Sequence, residues 1–392
     1  MRTVSSPPSS PTNCSESEIC IPIRDCPFFD DLLKRVRPPR PSSVIQIMRK
    51  KMCDLNKALS IPYMCCDRTT LSPTKREDRD SPSRETTTKA PELISRHRNF
   101  HLLRNDICGP ISNNLRITSG EEVGIEEFPW MALVVYYTGT GYDLKCGGTI
   151  INERYVLTAG HCVHNFNIAG VKLGEYNLDT MEDCLKNDNY EDYCAPPPQD
   201  FLIETMKVHP EYNPKTFEND IALLRLATPA NFSFCKYNQE LVTQYFTRTY
   251  EHFPANIKPI CLPLSEMDLT GKSVIVSGWG VTETGLKSSV LMKVSLPVAP
   301  ISECQKKYES FAPVTNKQIC AGGYKGRDSC TGDSGGPMKY VDIVDGTPRY
   351  IQYGIVSYGP KHCGIEGRPG IYTRVARYIR WILDNLQPDV DD

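Results

Sequence analysis

From Ile117 onward the apolar residues come in short runs parted by turn residues. Residues 131–137 (MALVVYY), 155–157 (YVL) and 273–279 (SVIVSGW) are examples. Such runs, too short for helices, predict strands, and their number predicts a mainly β barrel or sandwich. One late stretch differs. Residues 378–386 (YIRWILDNL) carry apolar side chains at helical spacing and predict a C-terminal helix. Residues 67–107 show the opposite texture. They are rich in Thr, Ser, Pro, Arg and Glu without apolar periodicity, so a flexible, solvated linker is expected there.

The 392 residues exceed one ordinary core, so two domains are expected. A formal net charge of −2 argues against nucleic acid as the main partner. No apolar run approaches the roughly 18 residues that a membrane span needs. The 17 cysteines point to an oxidising, extracellular compartment. The first residues, MRTVSSPP, contain no apolar segment and hence no visible signal peptide. These two observations conflict. The cysteines carry more weight, and a first exon missing or misassigned upstream is expected.

Six cysteines crowd the N-terminal part: Cys14, Cys20, Cys26, Cys53, Cys65 and Cys66. So short a stretch cannot hold a fold by a hydrophobic core alone, and covalent staples are expected. Spacing does not choose among the fifteen possible pairings. A zinc site competes, but the stretch lacks histidine and any CxxC pair.

Three segments carry chemistry. They are Thr158-Ala159-Gly160-His161-Cys162, Asn219-Asp220-Ile221-Ala222-Leu223-Leu224 and Gly332-Asp333-Ser334-Gly335-Gly336-Pro337. A serine hydroxyl is a poor nucleophile near neutral pH; it needs a base, and the base needs a carboxylate to fix its tautomer. Glycines beside Ser334 let the backbone bend so that the N–H groups of Gly332 and Ser334 can face one oxyanion.

With these segments the chain resembles the trypsin/chymotrypsin family of serine endopeptidases over residues 117–388. The resemblance implies two packed six-stranded β-barrels with the active site between them. His161 would be general base then acid, Asp220 its orienting partner and Ser334 the nucleophile. No cofactor would be needed for catalysis. The N-terminal cysteine pattern resembles the clip domain of arthropod serine proteases, which implies the pairs Cys14–Cys65, Cys20–Cys53 and Cys26–Cys66. The expected organisation is an N-terminal stub (1–13), a clip domain (14–66), the linker (67–107), an activation segment (108–116) and the protease domain (117–388).

Further expectations follow from the resemblance. Cleavage after Arg116 would free the amino group of Ile117 to pair with Asp333, ordering a latent site. Thr118 and Ser119 depart from the family's usual sequence there, and Gly160 stands where Ala is common. Asp328 would sit at the base of the primary specificity pocket, with Gly359 and Gly370 on its walls and Tyr358, where Trp is more common, at its edge. A buried carboxylate needs a cation, so Arg or Lys before the scissile bond is expected. The enzyme's own Arg116 would also fit that pocket. The remaining bridges implied are Cys108–Cys261, Cys146–Cys162, Cys184–Cys194, Cys304–Cys320 and Cys330–Cys363. That leaves Cys235 alone, within residues 232–253, which look inserted. The spare thiol would pair between molecules, lie buried or reflect an error in the gene model, and the Pro-Ala-Asn repeat flanking it favours the last.

Residues 175–184 resemble the calcium loop of these proteases. Glu175 and Asp183 would give carboxylate oxygens, Asn177 and Thr180 carbonyls, and an acidic solvated loop is the alternative. Asn13 and Asn231 begin glycosylation sequons. The expected function is a secreted zymogen acting by limited proteolysis in a haemolymph cascade. Its substrates would be a protease zymogen, prophenoloxidase or a cytokine precursor, with an upstream activating protease and serpin inhibitors as further partners. A digestive trypsin and a non-catalytic clip-domain scaffold are the alternatives, and intact Ser334 and Asp328 argue against the scaffold.

Overall fold

The computed structural model describes residues 18–22, 26, 52–56, 61–67, 94–111, 121–185, 192–232, 256–282, 285–323, 332–360 and 365–389. Asn13, Cys14, Arg116, Ile117, Cys235, Asp328, Cys330 and Cys363 lie outside these residues, as do the pairings proposed for Cys14–Cys65, Cys20–Cys53 and Cys330–Cys363. The chain divides near Ala90 and Pro91 into two units.

The first unit is a small antiparallel sheet of β1 (Glu18–Pro22), β2 (Met52–Asn56) and β3 (Ile61–Asp67), with β3 in the middle. A sheet this small has little room for an apolar core, and covalent staples are expected to replace one. Cys26 is bonded to Cys66, Cys65 is also disulfide-bonded, and all three are buried.

In the second unit, β4 (Glu121–Glu122) precedes β5 (Met131–Tyr137), β6 (Tyr142–Asn152), β7 (Tyr155–Thr158) and β8 (Ile168–Leu173). A two-stranded ribbon of β9 (Cys184–Leu185) and β10 (Tyr193–Cys194) follows. Then come β11 (Gln199–Phe201), β12 (Ile203–Val208) and β13 (Ala222–Leu226). The first large sheet runs β11-β8-β5-β6-β7-β13-β12. Its two edges, β11 and β12, are separated by Leu202 alone, so one bent strand serves both ends and curls the sheet into a six-segment barrel.

The second large sheet contains β14 (Ser273–Gly278), β15 (Met292–Ala299), β16 (Gln318–Ala321), β17 (Pro337–Val344), β18 (Thr347–Tyr358) and β19 (Gly370–Arg374). Its order is β14-β17-β18-β19-β16-β15, and direct pairing of β14 with β15 closes it into six strands, with β4 added outside. Helix α1 (Ile301–Tyr308) leads into β16, and α2 (Ile379–Asn385), entered through a 3-10 turn at Val375–Tyr378, ends the fold. The mainly β architecture and the C-terminal helix are those the apolar pattern predicts.

The linker expected through residue 107 gives way to packed chain by Ile94. Ile94–Arg96 and Phe100–Leu102 form 3-10 turns, and Leu103 is buried in the main core. The Asn99 side-chain amide donates to the carbonyls of Leu383 (2.8 Å) and Leu386 (2.9 Å), satisfying the C-terminal end of α2. The apolar residues here are too sparse for a periodic pattern, which is why composition alone reads as solvated.

Candidate active site

Antiparallel pairing builds the first half of the site. Ala222 on β13 lies opposite Thr158 on β7, so the residues just before β13 and just after β7 meet at one end of the barrel. Those residues are Asp220 and His161. The Asp220 carboxylate is fully buried, and its Oδ2 lies 2.8 Å from His161 Nδ1. Its Oδ1 accepts the main-chain N–H of His161 at 2.7 Å, so one carboxylate fixes both ring and backbone. Ser357 donates its hydroxyl to Oδ2 at 2.5 Å, and Thr373 donates to the Asp220 carbonyl at 2.7 Å. A buried carboxylate is tolerable only when its lone pairs are met, and here three donors meet them.

The loop entering Asp220 is held in an unfavourable conformation. Phe217 and Asn219 both adopt left-handed φ, +56° and +54°. Asn219 is locked there by its own side chain, which donates to Glu211 O and accepts from Lys317 and Tyr378. Strain of this kind persists where the surroundings over-determine it. Gly160 has a local reason too. A Cβ on it would lie 3.2 Å from Asp220 Oδ1 and from the Tyr212 ring, tighter than ordinary contacts.

Ser334 arrives from the other barrel, on the turn leading into β17. Its carbonyl accepts the N–H of Gly147 on β6 at 2.8 Å. Gly335, at φ +78°, approaches so closely that a Cβ would meet Thr158 Oγ1 at 2.2 Å and Cys162 Sγ at 3.2 Å. Cys162 Sγ is itself 3.6 Å from His161 Nε2. The serine loop and the free edge of the imidazole therefore share one disulfide, Cys146–Cys162, as a common wall. Gly332 takes φ +105°, where only glycine is at ease, and packs against Gly280. Asp333 Oδ1 accepts the Gly280 N–H at 2.9 Å, and a Cβ on Gly278 or Gly280 would strike that carboxylate.

Of the expected pocket residues, Tyr358, Gly359 and Gly370 are brought together, and Asp328 lies outside the described residues. A Cβ on Gly359 would lie 3.7 Å from Gly370 Cα, so the two glycines face each other. Tyr358 joins an aromatic group the sequence reading missed: Phe217 at 5.2 Å, Tyr308 at 5.6 Å and Phe311 at 5.7 Å between ring centroids. Phe217 in turn meets the His161 ring edge-on at 5.7 Å. Burial raises the Tyr358 hydroxyl pKa, with Tyr308 and Asp220 adding to the effect. Ser357 and Thr373 were also missed. Ser357 sits next to Tyr358 in sequence, which is the one local signal that pointed to it.

Among the described residues, four bridges join cysteines of the second unit: Cys108–Cys261, Cys146–Cys162, Cys184–Cys194 and Cys304–Cys320. The loop bearing Glu175, Asn177, Thr180 and Asp183 closes on itself. Thr180 donates its hydroxyl to Asp183 Oδ1 (2.6 Å) and to Asn177 O (3.2 Å), and its N–H to the same carbonyl (3.1 Å). Burial pushes the Glu175 carboxyl pKa up, and the nearby charges of Asp183 and Asp200 add to this. Asn231 is exposed.

Residues 117–382 match the family model described as trypsin, and residues 11–66 match the regulatory CLIP domain of proteinases. The chain is 36% identical over 387 residues to the CLIP domain-containing serine protease HP8 of Bombyx mori, covering 95% of this chain and 93% of that one. It is 34% identical to Phenoloxidase-activating factor 3 of Holotrichia diomphalia, covering 98% and 95%. The crystal structure of the Drosophila Grass clip serine protease of the Toll pathway superposes with a TM-score of 0.60 at 29% identity, over 96% of this chain and 97% of that one. The chain belongs to the trypsin family, in its clip-domain branch. It is a serine endopeptidase, and enzymes of this family need no catalytic cofactor.

Proposed function

We propose that this endopeptidase is a secreted zymogen, activated by cleavage after Arg116, that cuts protein substrates after Arg or Lys. The observation that carries the reading is the buried Asp220 carboxylate holding the His161 ring with Nε2 turned toward the wall it shares with the Ser334 loop. His161 Nε2 takes the Ser334 hydroxyl proton as Oγ bonds to the scissile carbonyl carbon. The carbonyl oxygen becomes an oxyanion received by the N–H groups of Gly332 and Ser334. The imidazolium then protonates the leaving nitrogen, the C–N bond breaks, and water repeats the steps to release the acyl group. Asp220 keeps the proton on Nδ1 throughout and stabilises the imidazolium.

Asp328 supplies the specificity charge, and the facing glycines 359 and 370 leave room for a long side chain. Activation pairs the new Ile117 amino group with Asp333, whose carboxylate lies in a cradle of glycines. The disulfides support secretion. Exposed Asn231 suits glycosylation, and Asn13 is the second sequon. Similarity to Phenoloxidase-activating factor 3 and to a Toll-pathway protease supports a role in an extracellular cascade. A protease zymogen, prophenoloxidase or a cytokine precursor is then the substrate, and serpins are the inhibitors. Glu175, Asn177, Thr180 and Asp183 form an all-oxygen loop suited to calcium, which would displace the Thr180 hydroxyl from Asp183. A fluorophosphonate probe tests the reaction centre: it should label the chain only after cleavage at Arg116 and never label Ser334→Ala. Labelling elsewhere, or none after verified cleavage, would refute it.

A further inference from the structure

A cavity of about 260 Å³ opens beside the reaction centre, lined among others by Leu144, Cys146, Leu178, Trp279, Lys287 and Gly332. Two of these tie it to the chemistry. Gly332 carries a proposed oxyanion N–H, and Cys146 is bonded to Cys162, whose sulfur is 3.6 Å from His161 Nε2. Nε2 is the atom that hands a proton to the departing amine. None of Tyr358, Gly359 and Gly370, which serve the acyl side, lines the cavity. The cavity therefore lies on the leaving side of the scissile bond.

Its lining states what it prefers. Leu144, Leu178 and the almost fully buried Trp279 make the walls apolar. Trp279 is fixed by donating its indole N–H to Tyr176 O at 3.0 Å. Two cations stand at the rim. Lys145 lies 3.6 Å from Asp143, which offsets its charge. Lys287 is exposed and donates to the Leu144 carbonyl at 2.9 Å, and among the described residues no carboxylate pairs with it. A side chain entering here meets hydrocarbon first and the Lys287 ammonium at the edge.

Resting on the proposed function, we infer that this cavity selects the segment after the cut: an apolar side chain within its first two residues, followed by a carboxylate that meets Lys287. Lys287 is then a specificity-determining residue for the leaving segment.

The test uses the full chain cleaved after Arg116 and peptides sharing one acyl segment that ends in arginine. Their leaving segments are Ile-Leu-Glu-Gly, Ile-Leu-Lys-Gly and Ile-Asn-Glu-Gly, and only the product of cleavage at the shared arginyl bond is scored, by mass spectrometry at initial rates. Each kcat/KM is divided by that of the same preparation on a short arginyl amide with no leaving peptide. The glutamate peptide should be cut about fivefold better than the lysine peptide, the scale of a rim ion pair. Lys287→Glu should reverse that order. Replacing Leu by Asn should cost about tenfold. Equal cutting of the three peptides with an active short amide would overturn this inference alone. Failure to cut the short amide would overturn the proposed function and this inference with it.

Discussion

Ser357 donates its hydroxyl to Asp220 Oδ2, the same oxygen that faces His161 Nδ1. The two residues are 137 positions apart, and the contact brings the closed barrel into the support of the histidine held by the other. Removing the hydroxyl leaves a buried carboxylate short of one charge-assisted donor. Ser357→Ala should lower kcat by about tenfold, corresponding to about 1.4 kcal/mol, with KM little changed. Asp220→Asn removes the acceptor that fixes the tautomer, and should lower kcat by about 10⁴ near neutral pH. Steady-state kinetics on an arginyl amide checks both, and equal losses in the two variants would contradict the division of roles.

Among the described residues, the N-terminal chain that cleavage after Arg116 would leave has two attachments. One is Cys108–Cys261, and the other is the docked segment at Asn99 and Leu103. Arg104 pairs with Glu153, and Arg349 donates to the carbonyls of Cys108 and Asp106, extending the second. A Cys108→Ser/Cys261→Ser variant cut after Arg116 should still elute as one species in gel filtration. Adding Leu103→Ala, worth about 2–3 kcal/mol, should release the N-terminal chain. Separation in the cysteine variant alone would show that the disulfide is the whole tether.

Lys339, five residues after Ser334, is fully buried. Its Nζ donates to Ser277 Oγ at 2.6 Å and stands 3.6 Å over the Phe128 ring, while Glu127 is taken by Lys293 at 2.8 Å. Burial holds its pKa well below the usual lysine value, with Glu127 opposing that shift and Lys293 adding to it. The unfolded chain therefore binds a proton that the folded one does not, so stability should rise with pH between the folded lysine pKa and about 10.4. Lys339→Met should abolish that slope and stabilise the fold by about 1–3 kcal/mol at pH 7. Urea midpoints at pH 6, 7 and 9 decide it: a pH-independent wild type would contradict the account.

Calcium should raise the unfolding temperature by a few degrees, since binding to the folded state alone adds stability by mass action. Glu175→Gln should remove the response. Calorimetry with calcium and with a chelator checks this, and identical melting of the wild type in both would exclude the site.

What the sequence made legible was local. His161 and Ser334 sit in short segments with glycines beside them, and Asp220 directly precedes an apolar run, so each is marked locally. The strands could be read for the same reason, because runs such as residues 131–137 declare themselves over a few positions. Ser357, Thr373, Phe217 and Phe311 could not be read that way. Their contacts span many positions in the chain and exist only once the strands have closed. The docking of residues 94–106 was hidden because isolated apolar residues and one asparagine amide leave no periodic trace.

On the proposed function, cleavage after Arg116 turns a latent chain into an arginine-selective enzyme through Ser334. Hydrolysis of arginyl and phenylalanyl amides, before and after controlled cleavage and with Ser334→Ala beside it, is the decisive measurement. Arginyl hydrolysis should appear on cleavage and vanish in the variant. Absence of activity after verified cleavage, or a preference for phenylalanine, would contradict it.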